Sequence, residues 1–319
     1  MSGKGSGKPP LPVSPDGAFL LVDKPRGPSS HQVTAWVRDV LGVSRAGHAG
    51  TLDPGVSGLL VIGIGRALRL IPLVLTLPKR YIGVVQFHGA VSRTALQGAL
   101  GEFEGPVFQT PPVRSAVKRE RRVRKIHSLK LLEFAENSAL IDVSCESGTY
   151  VRTLAVDLGE VLGVGGHLAE LRRVGTGPFT ELEMVSLSML SDAMAMLEEG
   201  NPSLIRGMLH DPSRVWKKVP MVYVKDSAVD ALAHGADLAA AGVTGVSAPF
   251  GPGDRVAIVT AKEELVATGK ALVLSQSLRE AKSGWVVDAD SVFMAPGVYP
   301  RLWGTASGGR KGEKSPPSI

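Results

Sequence analysis

Residues 47–54 read GHAGTLDP and place one carboxylate, that of Asp53, in a glycine-rich loop that ends in an Asp-Pro step. Glycine lets a backbone turn sharply and approach a ligand closely, and an Asp-Pro step commonly initiates a turn. An isolated Asp-Pro is most often a plain turn carboxylate. Because this loop would present a single acid on a fixed backbone, Asp53 is nevertheless the first candidate for a chemical role.

The composition is that of a folded, mildly basic chain. Its 319 residues include 36 Lys and Arg against 30 Asp and Glu, a formal net charge of +6. The length predicts two domains, and an apolar content of 44% excludes global disorder. The positive balance favours a polyanionic partner such as nucleic acid, and the placement of the charges matters more than their sum.

Cysteine usage and hydropathy exclude several classes of protein. Cys145 is the only cysteine, so neither an internal disulfide nor a cysteine-based zinc site can form within the chain. Its alternating, strand-like surroundings predict a buried structural thiol. Residues 1–12 lack the apolar segment of a signal peptide, and Arg66, Arg69 and Pro72 interrupt the apolar stretch 59–77. We therefore expect a cytoplasmic protein without a membrane span.

Strand-like and helix-like patterns alternate irregularly, which predicts an α+β fold with a mixed, largely antiparallel sheet and flanking helices. Buried strands are predicted at 18–22, 59–64 and 81–87. One helix begins near Arg152. Another, capped by Ser29 or Ser30, has a predicted apolar face of Val33, Trp36, Val37, Val40 and Leu41.

The C-terminal part has a different pattern. Short strands at 222–224, 255–260, 264–268, 285–288 and 292–294, with one helix at 227–234, predict a small β-barrel. The predicted organisation is a flexible tail 1–15, a first domain 16–181, a connecting segment 182–219, the barrel domain 220–303 and a flexible tail 304–319.

The chemistry open to Asp53 is limited by its neighbours in the sequence. A glycosidase would need a second well-placed carboxylate, and a metal site would need more ligands than His48 and Asp53. One carboxylate suits a reaction that breaks and forms bonds on the same substrate, such as the isomerisation of uridine. There, Asp53 would either attack the sugar covalently or remove a proton from it, and both routes remain open. Neither a cofactor nor a metal is expected.

Four blocks, in matching order and spacing, resemble the TruB/dyskerin family of pseudouridine synthases. They are residues 21–30 (LVDKPRGPSS), 47–54, 79–81 (KRY), and 148–154 (GTYVRTL) followed by 171–173 (LRR). Together they cover roughly residues 19–179, which makes the resemblance specific. It implies an enzyme that converts uridine to pseudouridine in RNA.

The resemblance assigns three catalytic residues. Asp53 matches the catalytic aspartate, Arg152 matches the arginine that pairs with it, and Tyr81 matches the active-site tyrosine. A guanidinium beside a buried carboxylate would hold it ionised and fix its orientation. The ring of Tyr81 would stack on the target base, and its hydroxyl would assist proton transfer. Without the resemblance, Arg152 would be interpreted as an ordinary surface arginine at a helix start, and Tyr81 equally well as a core aromatic of a strand.

Three further residues are assigned to substrate binding or loop support. Leu171 matches an apolar residue that packs against the base pocket, with a plain core leucine as the alternative. His48 matches a histidine that helps to displace the target base, which must leave its stack because the reactive sugar carbon is inaccessible inside stacked RNA. Lys24 is expected to anchor the catalytic loop by an ion pair.

A run of positive charges lies between the block at 79–81 and the block at 148–154. Seven basic residues lie within twelve positions, relieved only by Glu120: Arg114, Lys118, Arg119, Arg121, Arg122, Arg124 and Lys125. Such a run is usually a solvated face. Because residues 109–116 resemble a family segment near the RNA cleft, the run is also a candidate for phosphate contacts that position the RNA.

The resemblance also suggests a branch of the family. The segment 89–105, after the strand that carries Tyr81, is shorter than in bacterial members and lacks their Thr-Asp-Thr string. In addition, blocks within 226–294 resemble a PUA RNA-binding domain. These features imply an archaeal type, namely the catalytic subunit of a box H/ACA ribonucleoprotein with guide RNA and small accessory proteins as partners. The PUA domain would hold the ACA end and lower stem of the guide. Guide-independent modification of the TΨC arm of tRNA is implied as well.

Two other interpretations compete. A non-catalytic RNA-binding or assembly scaffold of the same fold is the main alternative, and the presence of Asp53, Tyr81 and Arg152 argues against it. A glycine-rich nucleotide binder is suggested by residues 63–65 and 163–166, but neither segment has a phosphate-loop lysine or a full dinucleotide pattern.

Overall fold

The computed structural model describes residues 9–110, 120–279 and 283–301. The chain divides into two compact units, Met1–Asp211 and Pro212–Ile319. Residues 1–8 and 302–319, which hold most of the two predicted tails, lie outside the described residues.

The described part of the first unit contains ten strands and six helices. The strands are β1 (Ala18–Lys24), β2 (Ala46–His48), β3 (Ser57–Ile64), β4 (Lys79–Phe87), β5 (Gly105–Gln109), β6 (Arg122–Ala135), β7 (Ser138–Cys145), β8 (Gly166–Thr176), β9 (Phe179–Thr180) and β10 (Leu209–His210). The helices are α1 (Ser30–Leu41), α2 (Ile71–Thr76), α3 (Arg93–Glu102), α4 (Val151–Val161), α5 (Leu187–Glu198) and α6 (Ser203–Met208). A 3₁₀ segment, Gly65–Leu70, joins β3 to α2.

The ten strands form one sheet in the order β10-β1-β3-β8-β4-β7-β6-β5, with β2 beside β3 and β9 beside β8. Every pairing is antiparallel except the short parallel contact of β3 with β8, where Ser57 pairs with Arg172 and Gly58 with Arg173. This contact joins the two halves of the sheet immediately after the Asp53 loop. The start of β3, the end of β8 and the start of β4 therefore meet at one place.

A separate apolar core lies against each half of the sheet. One core combines β1 and β3 with α1, α5 and α6. The other combines β4, β6 and β7 with α3 and α4, and it includes Cys145, which is buried as predicted. The predicted apolar face of α1 is wrong at Trp36, which is 45% exposed, because the face rotates through Val33, Thr34 and Val37 towards the core.

The segment predicted to connect the domains is largely a part of the first unit. Leu190, Met194 and Leu197 of α5 and Ile205 of α6 are buried in the core built on β1 and β3. The chain leaves this unit only at Asp211. The Met-rich pattern between 187 and 197 therefore marks an amphipathic helix that covers the sheet.

The second unit is a six-stranded sheet with two short helices. Its elements are α7 (Ser213–Trp216), β11 (Met221–Val224), α8 (Asp226–Ala233), β12 (Leu238–Ala239), β13 (Val243–Val246), β14 (Arg255–Thr260), β15 (Leu265–Ala271) and β16 (Trp285–Val292). The strand order is β12-β16-β15-β14-β11-β13, and only β11 with β14 is parallel. The strands predicted at 285–288 and 292–294 are one strand that ends at Val292, with Phe293 and Met294 beyond it.

The fold class is as predicted, α+β with a mixed and largely antiparallel sheet in the first unit. None of the helices in the described ranges is long and apolar enough to cross a membrane.

Candidate active site

The loop between β2 and β3 carries Asp53 and is fixed through its backbone on both sides of that residue. The hydroxyl of Ser30 donates to the carbonyl of Leu52 at 2.9 Å and accepts from the Leu52 amide at 2.8 Å. On the other side, the amide of Gly27 donates to the carbonyl of Pro54 at 2.8 Å. The backbone at Asp53 is therefore held while its side chain stays 57% exposed.

Two buried cations bind the outer parts of the same loop. Nη2 of Arg173 donates to the carbonyl of Gly50 at 3.0 Å, and Nζ of Lys24 donates to the carbonyl of Val56 at 2.7 Å. Lys24 also donates to the carbonyl of Pro25 at 2.8 Å. Among the described residues it forms no ion pair, so the predicted ion-pair anchor is wrong and the anchor is made to backbone carbonyls. Burial lowers the pKa of Lys24, while the charge of the loop carboxylate acts in the opposite direction.

Arg152 meets Asp53 from the other half of the sheet. Its Nη2 lies 2.6 Å from Oδ2 of Asp53, although 99 positions separate the two residues in the sequence. Arg152 stands in the first turn of α4, and the residue before that helix is held in place by Gln109. The Gln109 side chain accepts from the Tyr150 amide at 2.9 Å and donates to the Tyr150 carbonyl at 3.1 Å.

The ion pair of Asp53 and Arg152 is open to solvent. The two side chains are 57% and 55% exposed, so the prediction of a buried carboxylate is wrong. Water screens such a pair, and an exposed pair contributes about 0–1 kcal/mol to stability. Its effect is therefore orientation: the guanidinium fixes the direction in which the carboxylate points.

Tyr81 and Arg173 are directly opposite each other on β4 and β8, and their side chains are hydrogen-bonded. Arg173 is 2% exposed, and its Nε donates to the carbonyl of Leu59 at 2.8 Å. One guanidinium thus binds β3, the Asp53 loop and the Tyr81 side chain. Burial raises the pKa of Tyr81 and lowers the pKa of Arg173, and the positive charge of Arg173 counteracts the shift at Tyr81.

Leu171 lies two residues before Arg173 on the same strand, opposite Gly83 of β4. Its Cδ1 is 3.2 Å from the position that a Cβ on Gly83 would occupy, so the glycine leaves room for the leucine side chain. Leu171 and Tyr81 are both half-buried and both pack against the core that includes α4. They form the apolar side of the site.

His48, at the end of β2, has a partly buried ring. Its centroid is 4.8 Å from that of His31 in an edge-to-face arrangement, and its Nδ1 is buried without a hydrogen-bond partner among the described residues. Burial, His31 and Arg173 all lower the pKa of His48, which keeps the imidazole neutral near pH 7. A neutral ring suits stacking on a base. The two histidines line a cavity of about 440 Å³ with Thr34 and Arg38.

The basic run is described only in its second half. Arg121 places its guanidinium 4.6 Å from the ring centre of Phe108, whose side chain is 64% exposed, and Arg122 lies 3.9 Å from Glu120. These residues belong to the hairpin of β5 and β6, the same hairpin that holds Tyr150 through Gln109. Arg114, Lys118 and Arg119 lie outside the described residues.

Sequence reasoning missed three residues that support the site: Ser30, Arg173 and Lys79. Lys79 is 6% exposed, and its Nζ donates to the carbonyls of Val74 at 3.1 Å, Leu75 at 2.8 Å and Leu77 at 2.6 Å, at the end of α2. Burial lowers its pKa to about 7. All three missed residues stand inside the quoted blocks. The backbone partners of Ser30 and Arg173 are distant in the sequence, whereas those of Lys79 lie two to five residues before it. No side-chain pattern reveals a backbone partner of either kind.

Three family models match the chain. The N-terminal domain model of TruB family pseudouridylate synthases matches residues 38–151, and the C-terminal domain model of tRNA pseudouridylate synthase B matches residues 152–213. A PUA domain model matches residues 220–293.

Similar proteins span almost the whole chain. A probable tRNA pseudouridine synthase B of Pyrobaculum arsenaticum is 45% identical over 302 residues, 93% of this chain and 91% of the relative. One of Methanothermobacter thermautotrophicus is 46% identical over 283 residues, 88% of this chain and 87% of the relative.

Solved structures agree. A chain from a Cbf5-Nop10-Gar1 complex superposes with a TM-score of 0.84 at 39% identity and covers 94% of both chains. A chain from an H/ACA ribonucleoprotein bound to a substrate RNA containing 2′-deoxyuridine superposes with a TM-score of 0.77 at 37% identity, over 93% of this chain and 96% of the other.

Proposed function

The chain belongs to the TruB family of pseudouridylate synthases, and from that premise we propose that it isomerises uridine in RNA by means of Asp53. The enzyme is a pseudouridine synthase. The observation that carries the assignment to Asp53 is its setting: an exposed carboxylate on a loop held at the backbone of Gly50, Leu52, Pro54 and Val56. Such fixation positions a reactive group before substrate arrives.

The reaction needs only rearrangement of the substrate. The N1–C1′ bond of uridine breaks, a C5–C1′ bond forms, C5 loses a proton and N1 gains one. Asp53 would act on the sugar, either as a nucleophile at C1′ or as a base, and the guanidinium of Arg152, 2.6 Å away, would direct its carboxylate. No cofactor takes part in this scheme.

The flipped uracil would lie against Tyr81 and Leu171. Both are half-buried beside the loop, and the Tyr81 ring offers a stacking surface while its hydroxyl is hydrogen-bonded to Arg173. The neutral ring of His48 would contact the stack from which the uridine has left.

The hairpin of β5 and β6 would bind RNA next to the site. Its exposed Phe108 and the cation stacked on it, Arg121, offer an aromatic surface and a positive charge, and Arg122 adds a second charge. Arg114, Lys118 and Arg119 extend the same run in the sequence and would contact phosphates.

We assign two classes of substrate, tRNA and RNA sites selected by a box H/ACA guide. The first follows from relatives named tRNA pseudouridine synthase B, and the second from the similarity to chains in H/ACA complexes. Accessory proteins of the Nop10 and Gar1 kinds and a guide RNA would then be partners. The segment 220–303 would act as the PUA domain on the guide, and the protein would work in the cytoplasm.

One assay separates this function from that of a non-catalytic scaffold. Pseudouridine is mapped in unmodified tRNA and in a ribosomal RNA fragment, each with and without guide RNA and partner proteins. We expect modification of tRNA without a guide and of the ribosomal fragment only with a complementary guide. RNA binding without any new pseudouridine under all four conditions would support the scaffold.

A further inference from the structure

A second cavity lies beside the start of β2, on the chain that leads into His48 and the Asp53 loop. It measures about 760 Å³ and lies between residues 9–13, the end of α1, the start of β2 and the 3₁₀ segment Gly65–Leu70. Its walls include the apolar residues Leu41 and Ile64. The catalytic scheme above uses none of these residues.

The charge of this cavity has one sign. Arg45, Arg66 and Arg69 line it, and no aspartate or glutamate of the described residues does. Arg45 is exposed and makes no hydrogen bond or ion pair with another described residue. Among the described residues, the one carboxylate paired with Arg66 is that of Asp16, at a loose 3.8 Å, and the two side chains are 40% and 55% exposed. An exposed pair of this kind leaves its arginine able to bind a stronger anion.

The position of the cavity relates it to the active site. Ala46, Gly47 and His48 pair with Ile64, Gly63 and Ile62 of β3, so Arg45 directly precedes a strand that ends at His48. Three residues of strand span about 10 Å.

The chain passes from the lining of this cavity to that of the smaller one formed by His31, Arg38 and His48. Arg45 lies on this path, and Arg66 and Arg69 line the same cavity. All three would therefore lie within a few nucleotides of a uridine at Asp53.

We propose that the cavity of Arg45, Arg66 and Arg69 binds phosphates of the RNA strand that carries the target uridine. This inference rests on the proposed function and adds a second RNA-binding surface, on a different element from the hairpin of β5 and β6. Guanidinium groups bind phosphate oxygens through paired hydrogen bonds and charge. Such contacts position RNA without reading its sequence.

The test compares the wild-type chain with the triple variant Arg45→Gln, Arg66→Gln and Arg69→Gln. The affinity for unmodified tRNA is measured from 50 to 200 mM salt, and pseudouridine formation is measured at saturating RNA. Each neutralised phosphate contributes about 0.7–0.9 to the slope of log affinity against log salt. If two contacts are lost, the wild-type affinity falls about tenfold more than that of the variant over this fourfold change in salt.

Two controls accompany the triple variant. Removal of three exposed charges that line neither cavity and lie outside the hairpin of β5 and β6 (Arg93→Gln, Arg206→Gln, Lys218→Gln) should leave the slope unchanged. Replacing the three arginines of the cavity by lysine should keep most of the wild-type salt slope, because lysine keeps the point charge. The variants' unfolding transitions show whether each is folded.

The outcomes are distinct. A smaller slope and a higher KM with an unchanged rate at saturating RNA support the inference. If the slope of the cavity variant with three glutamines equals that of the wild type, the inference is overturned. An equal loss of slope in the control variant, which lacks three charges elsewhere, overturns it as well. A wild-type chain that binds tRNA but forms no pseudouridine would overturn the proposed function instead.

Discussion

Arg152 lies 2.6 Å from Asp53, and both side chains are more than half exposed. The contact joins the loop before β3 to the first turn of α4, so it connects the two halves of the sheet at the active site. Burial does not maintain it. What maintains it is the fixed backbone on either side, through Ser30 at the loop and Gln109 at the start of the helix.

Replacing Arg152 should therefore affect the reaction far more than the fold. We expect Arg152→Lys, which keeps the charge but loses the planar fork, to lower the single-turnover rate about 100-fold through misplacement of the carboxylate. Stability should change by less than about 1 kcal/mol, since the pair is exposed. Rates and urea unfolding of the same samples test this. A large loss of stability with a near-normal rate would contradict it.

Two adjacent serines give a matched pair of variants. Ser29 caps α1 by a capping box with Gln32, whereas Ser30 binds both backbone groups of Leu52. Ser29→Ala should cost about 1 kcal/mol of stability and leave the rate at saturating RNA unchanged. Ser30→Ala leaves buried backbone groups unpaired, which costs about 1–3 kcal/mol, and should also lower the rate. Equal effects on the rate would show that Ser30 has no part in holding the loop.

Arg173 should act through Tyr81 and the loop. We expect Arg173→Lys to lower kcat with little change in KM, because lysine cannot reach both the Gly50 carbonyl and the Tyr81 hydroxyl. The double variant with Tyr81→Phe should lose less than the sum of the two single losses. Arg172→Lys is the neighbouring control, because Arg172 binds Asp23, and its effect should add to that of Tyr81→Phe. If the losses of kcat from Arg173→Lys and Tyr81→Phe also add in their double variant, Arg173 does not act through Tyr81.

Lys79 should make stability depend on pH. Its folded-state pKa of about 7 lies below the usual 10.5, so the unfolded chain binds more protons between these values. The free energy of unfolding should therefore rise as the pH increases from 7 towards 10.5, and the contribution is constant below 7. Lys79→Met should remove this part of the pH dependence in urea unfolding. Parallel curves for the wild type and the variant would contradict the assignment.

The sequence predicted the parts of the site that a side-chain pattern can express. The resemblance to the TruB/dyskerin family brought Asp53, Tyr81, Arg152 and Leu171 together in one hypothesis. The strands that carry Tyr81 and Leu171 are neighbours in the sheet. The sequence did not reveal the parallel contact of β3 with β8, which brings Arg173 beside the Gly50 carbonyl.

The failures have a common physical cause. Lys24 was expected to bind a carboxylate but binds the carbonyls of Pro25 and Val56. Ser30 and Lys79 bind backbone groups in the same way. Backbone acceptors are present at every position, so no sequence pattern singles out those that a buried cation will reach. The hairpin of β5 and β6 escaped prediction because β5 has only five residues and charged residues interrupt the apolar pattern of β6.

The most direct test of the whole account is tritium release from RNA labelled at C5 of uridine, measured in a single turnover with Asp53→Asn. The substitution keeps the size of the side chain and removes the ionised oxygen. We predict no release above the level without enzyme, with RNA affinity within about twofold of the wild type, because phosphate contacts dominate binding. Release by Asp53→Asn at the wild-type rate would contradict the central claim that this carboxylate performs the reaction.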